Sequence, residues 1–158
     1  MPTLIILRGL PASGKTTWSR NWADNPEADQ PRVVVSLDDL RLMLAGNPAH
    51  RDHILASPAR RAFERIVVEA GRNLIAGALD AGFDVTADAQ HANPRYAHEL
   101  ADLGRRHGAS IETRDFDVPL EELLERNEHR PVGDHVDPEY IRGQWERFHE
   151  IMFRPLER

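Results

Sequence analysis

The sequence predicts an α/β fold, a parallel sheet flanked by helices with a helical lid toward the C-terminal end. Three observations predict it. Short β-branched runs alternate with stretches of helical period, a glycine-rich loop joins the first run to the first helix, and no repeat, low-complexity tract or linker interrupts the order. Length sets the same scale: 158 residues, 41% hydrophobic and 29% charged, suit a single domain over residues 1–158 with a sizeable core.

The first strand is residues 3–7, Thr-Leu-Ile-Ile-Leu. The glycine-rich loop then opens a helix over 14–25, in which Trp18 and Trp22 stand four apart on one packing face. Val33, Val34 and Val35 make 32–36 the second strand, after which Ser36 or Asp38 can cap a short helix reaching residue 45. Residues 46–56, with Asn47 and Pro48, read as a polar loop. Ser57 and Pro58 open a long helix to about residue 81, whose apolar stripe is Phe63, Ile66, Val67, Ala70, Leu74 and Leu79; Gly82 ends it. The third strand is 83–88. Asn93-Pro94 opens a helix ending near His107-Gly108, and 111–116 is the fourth strand. Asp117 caps a helix to about residue 130, and Asp137-Pro138 caps a last one through Ile151. Between these two, Pro131-Val132-Gly133-Asp134 is the most flexible junction.

Composition narrows the function classes. No apolar run approaches the length of a membrane span, and Leu4-Ile5-Ile6-Leu7 is too short for a signal peptide, so a cytoplasmic chain with no membrane partner is expected. The absence of cysteine excludes disulfides, thiol catalysis and Cys-ligated zinc. His50 and His53 lie three apart without a third ligand and read as solvated. A net charge of -6 argues against a large nonspecific nucleic-acid surface, although a local groove can still be basic. Of the 20 basic residues 19 are arginine, and the one lysine, Lys15, stands where a compact ammonium must sit among phosphate oxygens.

The chemistry concentrates in Gly9-Leu10-Pro11-Ala12-Ser13-Gly14-Lys15-Thr16, two glycines, a lysine and a hydroxyl at the spacing of a phosphate-binding loop. Its amides and the following helix N-terminus converge where the β-phosphate of a nucleotide would lie. Gly9, Pro11, Ala12, Ser13, Gly14, Lys15, Thr16 and Thr17 are therefore expected to contact ATP or GTP. Lys15 would bridge the β- and γ-phosphates, and Thr16 would place its hydroxyl on Mg2+. A tight strand-to-helix turn would explain the glycines and leave Lys15 unexplained. Asp38 and Asp39 follow the second strand, at the edge where open α/β sheets bind ligands. Asp38 can take a proton from an acceptor hydroxyl or simply cap the helix, and spacing leaves both open. Arg41 shares its helical face. Asp88 ends the third strand in the place of a Walker B acid, and Arg126 and Arg130, at i and i+4, suit a clamp on the polyphosphate.

Over nearly its whole length the chain resembles the kinase domain of the bacteriophage-type polynucleotide 5'-hydroxyl kinases. The resemblance rests on Gly14-Lys15-Thr16-Thr17-Trp18, Asp38-Asp39-Leu40-Arg41, Asp88 with Asn93-Pro94, Phe116-Asp117-Val118-Pro119, and Arg126-Asn127 with Arg130. It implies a P-loop NTPase-type phosphotransferase that moves the γ-phosphate of ATP or GTP to a 5'-OH end of RNA or DNA. The alternative is a P-loop kinase of a small-molecule hydroxyl on a nucleoside, sugar or antibiotic, which the acidic net charge favours. A slow nucleotide-dependent switch is a third class. The resemblance further implies Lys15, Asp38 and Arg130 as the catalytic set, with Asp38 the general base. It puts Arg41 on the phosphate 3' of the terminal nucleoside, Asp88 in the acceptor site, and Arg130 with Arg126 on the donor phosphates. Leu37 and the run Ala89-Gln90-His91-Ala92 depart from the family's pattern, both on the expected acceptor side. With no D-x-D-G acid pair, a 3'-phosphatase in the same polypeptide is not expected.

Overall fold

Four strands form one parallel sheet: β1 (Thr3–Arg8), β2 (Arg32–Ser36), β3 (Asp84–Asp88) and β4 (Ser110–Asp115), in the order β2-β3-β1-β4. The computed structural model describes residues 1–156, so Glu157 and Arg158 at the end of the expected domain lie outside the described residues. Residues 4–7 of β1 are continuously apolar, as suits a strand with a neighbour on either side and helices over both faces; Leu4, Ile6 and Leu7 are fully buried. The register sets Ser36 opposite Asp88 and Arg8 opposite Asp115, which aligns the carboxyl ends of the strands along one edge. Open α/β sheets bind their ligands at that edge.

The helices are α1 (Lys15–Ala23), α2 (Leu37–Ala45), α3 (Pro48–Leu55), α4 (Arg60–Asp80), α5 (Pro94–Arg106), α6 (Leu120–Glu128) and α7 (Pro138–Phe148). The crossovers from β2 to β3 and from β3 to β4 run the same way across the sheet, so right-handedness puts α4 and α5 on one face. The crossover from β1 to β2 runs the other way and puts α1 on the opposite face. The main core, with Leu4, Ile6, Val67, Ile75, Val85 and Leu100, lies between the sheet, α4 and α5. A second core joins Leu10 of the glycine-rich loop to Leu123, Ile141 and Phe148 of the C-terminal helices and to Met152 just beyond them. Trp18 and Trp22 stack at 6.3 Å, and Trp18 meets Phe116 edge-on, which fastens α1 to the chain beyond β4. Among the described residues, no helix is long and apolar enough to cross a membrane.

Five expected details differ. Residues 46–56 are not a loop but mostly α3, since Asn47 accepts the His50 N–H at 2.8 Å as an N-cap and Pro48 takes the first turn. The buried face of α4 is Phe63, Val67, Gly71, Ile75 and Leu79, whereas Ile66 and Leu74 are about half exposed. The stripe is rotated because a glycine occupies the closest approach to α2: a Cβ on Gly71 would stand 2.7 Å from Leu37 Cδ2. Ser57 and Pro58 lie just outside α4, with the Ser57 hydroxyl donating to the Ile54 carbonyl at 2.7 Å. α6 begins at Leu120 with no side-chain cap, so Asp117 does not cap it, and α7 ends at Phe148 rather than Ile151.

Candidate active site

The loop after β1 is shaped by two backbone demands. A Cβ on Gly9 would meet Ser13 Oγ at 2.7 Å and Phe116 Cβ at 3.0 Å, and Gly14 sits at φ 97°, where an L side chain is strained. Ala12 also adopts a positive φ of 68°. No side chain caps the start of α1, so its first amides face the loop's concavity without a side-chain acceptor. Lys15 folds back over the loop and donates to the carbonyls of Gly9 at 2.8 Å and Leu10 at 3.0 Å. Burial lowers its pKa from 10.5 to about 8, against the attraction of Asp88 and Asp38 and with Arg130 adding to the lowering. Phosphate oxygens would offer this ammonium the full anionic partners that two carbonyls supply only in part.

The Thr16 hydroxyl donates to Asp88 Oδ2 at 2.9 Å. Burial pushes the Asp88 carboxyl above its usual range, while Thr16 and Lys15 pull it back. A hydroxyl and a carboxylate this close, beside the lysine, fit the hard-oxygen donors that magnesium takes in a nucleotide site. Among the described residues no group of three or more His, Asp or Glu could hold a metal alone, so the ion would be shared with the nucleotide's phosphates.

Ser36, not Asp38, caps α2: its hydroxyl accepts the Asp39 N–H at 3.3 Å. The Asp38 side chain is thereby left 90% exposed, and its Oδ1 accepts from Arg41 Nη1 at 2.6 Å. Asp39 pairs instead with Arg20 of α1 at 3.6 Å. Arg41 is held from behind, because its Nε and Nη2 both donate to the Glu64 carboxylate of α4 at 2.9 Å. Glu64 was absent from the sequence expectations, since nothing local ties it to a residue 23 positions away.

Both departures from the family pattern have structural employment. Leu37 packs toward Gly71 of α4. In the run after Asp88, the Gln90 carbonyl accepts the Gly9 N–H at 3.1 Å, and His91 Nδ1 donates to the Leu7 carbonyl at 2.6 Å. Burial lowers the His91 pKa to about 4, so the ring is neutral and its Nδ1 proton braces β1 just before the phosphate-binding loop. The Gln90 side chain takes the Tyr140 hydroxyl of α7 at 3.1 Å. The run therefore braces the glycine-rich loop and ties it to α7.

From the lid, Arg126 reaches the Ser13 carbonyl at 3.5 Å and pairs with Glu122, and Arg130 stands partly buried within the field of Lys15. Asn127 between them is buried and bonds both backbone groups of Val136, donating at 2.7 Å and accepting at 3.0 Å. Lys15, Thr16, Asp38, Asp88 and Arg130 thus share one charged field at the sheet edge, with Arg41 joined through Asp38 and Arg126 on the loop's flank. Pro11 and Ala12 are half-buried in the loop, and Thr17 is exposed on α1. Arg8, also unanticipated, is buried beside the loop, where its fork grips Asp115 at 2.7 and 2.9 Å and the Arg154 carbonyl.

Known proteins resemble this chain in sequence and fold. A family model described as an AAA domain matches residues 4–155, nearly the whole chain. The L-seryl-tRNA(Sec) kinase of Methanococcus maripaludis is 25% identical over 146 residues, covering 92% of this chain and 52% of that protein. A chain in the structure of the Pnkp1/Rnl/Hen1 RNA repair complex superposes with a TM-score of 0.75 at 27% identity, over 99% of this chain and 50% of that one. A second Pnkp1/Rnl/Hen1 structure gives 0.65 at 29% identity, over 83% and 40%. Shikimate kinase from Acinetobacter baumannii, at 16% identity and a TM-score of 0.53 over 92% and 75% of the two chains, shares the fold. This chain spans about half the length of the seryl-tRNA kinase and of the first RNA-repair chain. The fold class and the motif-based resemblance both stand, and the chain belongs to the AAA domain family, as a P-loop kinase domain.

Proposed function

We propose that this domain transfers the γ-phosphate of ATP or GTP to the 5'-hydroxyl end of an RNA or DNA strand. The observation that carries the reading is the line Asp38, Arg41, Glu64: an exposed carboxylate, free of capping duty, bonded to an arginine fork that a second carboxylate fixes in place. In this reading Asp38 accepts the hydroxyl proton as the acceptor oxygen attacks the γ-phosphorus and the bond to the nucleoside diphosphate breaks. Lys15 and Arg130 hold the donor oxygens on which negative charge gathers, with Arg126 in support. Magnesium bound by Thr16 and Asp88 would neutralise part of the polyphosphate charge. The Nη1 and Nη2 protons of Arg41 that neither Glu64 nor Asp38 engages would suit the phosphate next to the terminal nucleoside.

A second reading has one specific support. The relation to L-seryl-tRNA(Sec) kinase favours a hydroxyl carried on an aminoacylated tRNA. One experiment separates them: incubation with γ-labelled ATP and magnesium, offering 5'-hydroxyl oligonucleotides, nucleoside 3'-monophosphates, free nucleosides and seryl-tRNA in parallel. The proposal expects label on the oligonucleotide 5' end and on the 3'-monophosphate, and little on free nucleosides, which lack the group for Arg41. Label confined to seryl-tRNA or to free nucleosides would replace it.

A further inference from the structure

We propose that Arg60, Arg61 and Arg65 form a phosphate track for single-stranded nucleic acid, carrying the strand that continues from the acceptor end. The inference rests on the reading of the acceptor just given and extends it beyond the terminal nucleotide.

Topology supplies the placement. α4 leads into β3 and runs antiparallel to it, so the start of α4 lies at the edge where β3 ends in Asp88. Glu64, one turn further along α4, binds Arg41 at 2.9 Å. Arg60 and Arg61 precede Glu64 by four and three residues and so neighbour the acid that fixes Arg41, and Arg65 follows Arg61 by four residues on the adjoining strip of the same helix. Tyr140, half exposed with its hydroxyl on Gln90, lies within electrostatic reach of both Arg41 and Arg60. The arginines thus adjoin the acceptor side of the cleft.

Charge supplies the partner. Arg60, Arg61 and Arg65 are exposed and lie within six residues of one another, and among the described residues their side chains make no ion pair or hydrogen bond; other exposed arginines without an acid, such as Arg106 and Arg147, stand singly on other helices. Residues 51–65 hold four arginines against two acids, Asp52 and Glu64, and both acids are already taken by Arg51 and Arg41. A chain of net charge -6 therefore carries a local excess of cations at the start of α4, beside the proposed acceptor site. Their position does not serve the helix. Arg60 and Arg61 open α4, whose first turn has no acid, and cations there oppose the helix dipole. A polyanionic strand leaving the pocket would supply the missing counter-charge.

The test replaces all three residues by glutamine, with a circular dichroism melt to verify folding. The probe is a fluorescein-labelled, 5'-phosphorylated oligonucleotide of about a dozen nucleotides, which cannot act as acceptor, titrated by anisotropy at several salt concentrations. The triple variant should bind at least about tenfold more weakly, and its slope of log Kd against log salt should fall by about 2, the value for three lost contacts to a single strand. On a 5'-hydroxyl oligonucleotide KM should rise about tenfold with kcat held, while turnover of a nucleoside 3'-monophosphate stays within about twofold. Unchanged affinity and slope would overturn the proposal and leave the arginines to an acidic protein partner. Equal losses on the oligonucleotide and the mononucleotide would overturn it too. If the wild type phosphorylated no 5'-hydroxyl end, yet the variant lost oligonucleotide affinity and salt dependence, the track would stand and the proposed reaction would fall.

Discussion

Lys15 carries two roles in one atom, since its ammonium supports the loop through the Gly9 and Leu10 carbonyls and is the charge a polyphosphate needs. Phosphates prefer the charged form, so nucleotide binding raises a pKa that burial has lowered to about 8. Below about pH 8 the free protein already holds the proton, and affinity is flat with respect to this group. Above it binding must take a proton up, and affinity should fall by up to about tenfold per pH unit. Calorimetric titration of MgATP in buffers of different ionisation enthalpy should show that uptake above pH 8, and its absence would refute the role. The stability sign is opposite to that of an ion-paired lysine. The unfolded chain holds this proton more tightly, so the buried charge weighs against the fold below about 8 and is relieved as pH rises toward 10.5. Ser36 and Asp38 offer a second separation. Ser36→Ala removes the cap and should cost about 1 kcal/mol with little change in kcat. Asp38→Asn should keep the melting temperature and lower kcat by about 10²-fold or more, and near-normal turnover would transfer the base to Asp88. Glycine-rich loop and acid were legible because their meaning lies in fixed local spacing. Glu64 was not, because only the packing of α2 on α4 brings it to Arg41.

At the level of elements, strands and long helices were readable where an apolar period survives in the chain. α3 has no buried residue, so no period marks it, and its two start signals, Asn47 and Pro48, also read as breakers. The stripe of α4 was misplaced for a related reason: Gly71 contributes contact without an apolar side chain to count. The lid shows an element held by one polar residue. Asn127 binds both backbone groups of Val136 and so closes the connection between α6 and α7 around Arg130. Asn127→Ala would leave the part-buried N–H and C=O of Val136 unpaired and should cost about 1–3 kcal/mol in urea unfolding. Because Arg130 sits inside the released loop, nucleotide KM should rise while acceptor KM stays. Unchanged stability together with unchanged nucleotide KM would mean the lid is fastened elsewhere.

Across the whole molecule, the alternation of strand and helix was written in the chain, but the order β2-β3-β1-β4 was not, because pairings such as Ser36 with Asp88 depend on distant segments meeting. The helical face that covers this sheet has two close approaches, which couple to the site unequally. A Cβ on Gly104 of α5 would lie 2.6 Å from Ile111 Cδ1 and 2.8 Å from Leu4 Cδ2, in the buried core under β1 and β4. A Cβ on Gly71 of α4 would lie 2.7 Å from Leu37 Cδ2, with its next contacts at 3.6 Å or more. Leu37 opens α2, the turn that carries Asp38 and Arg41, and α4 carries Glu64. Overpacking costs about 1–3 kcal/mol, of which replacing a helical glycine by alanine returns up to about 1 kcal/mol. Gly104→Ala should therefore destabilise the fold while leaving kcat per folded molecule intact. Gly71→Ala should lose less stability, since one side-chain tip rather than two must give, yet lower kcat because the displaced Leu37 passes the strain to α2 and shifts it against Glu64. Urea unfolding combined with single-turnover rates normalised to bound nucleotide reads both quantities. Full kcat in Gly71→Ala alongside measurable destabilisation would show that the packing of α4 under Leu37 does not set the position of Asp38 and Arg41.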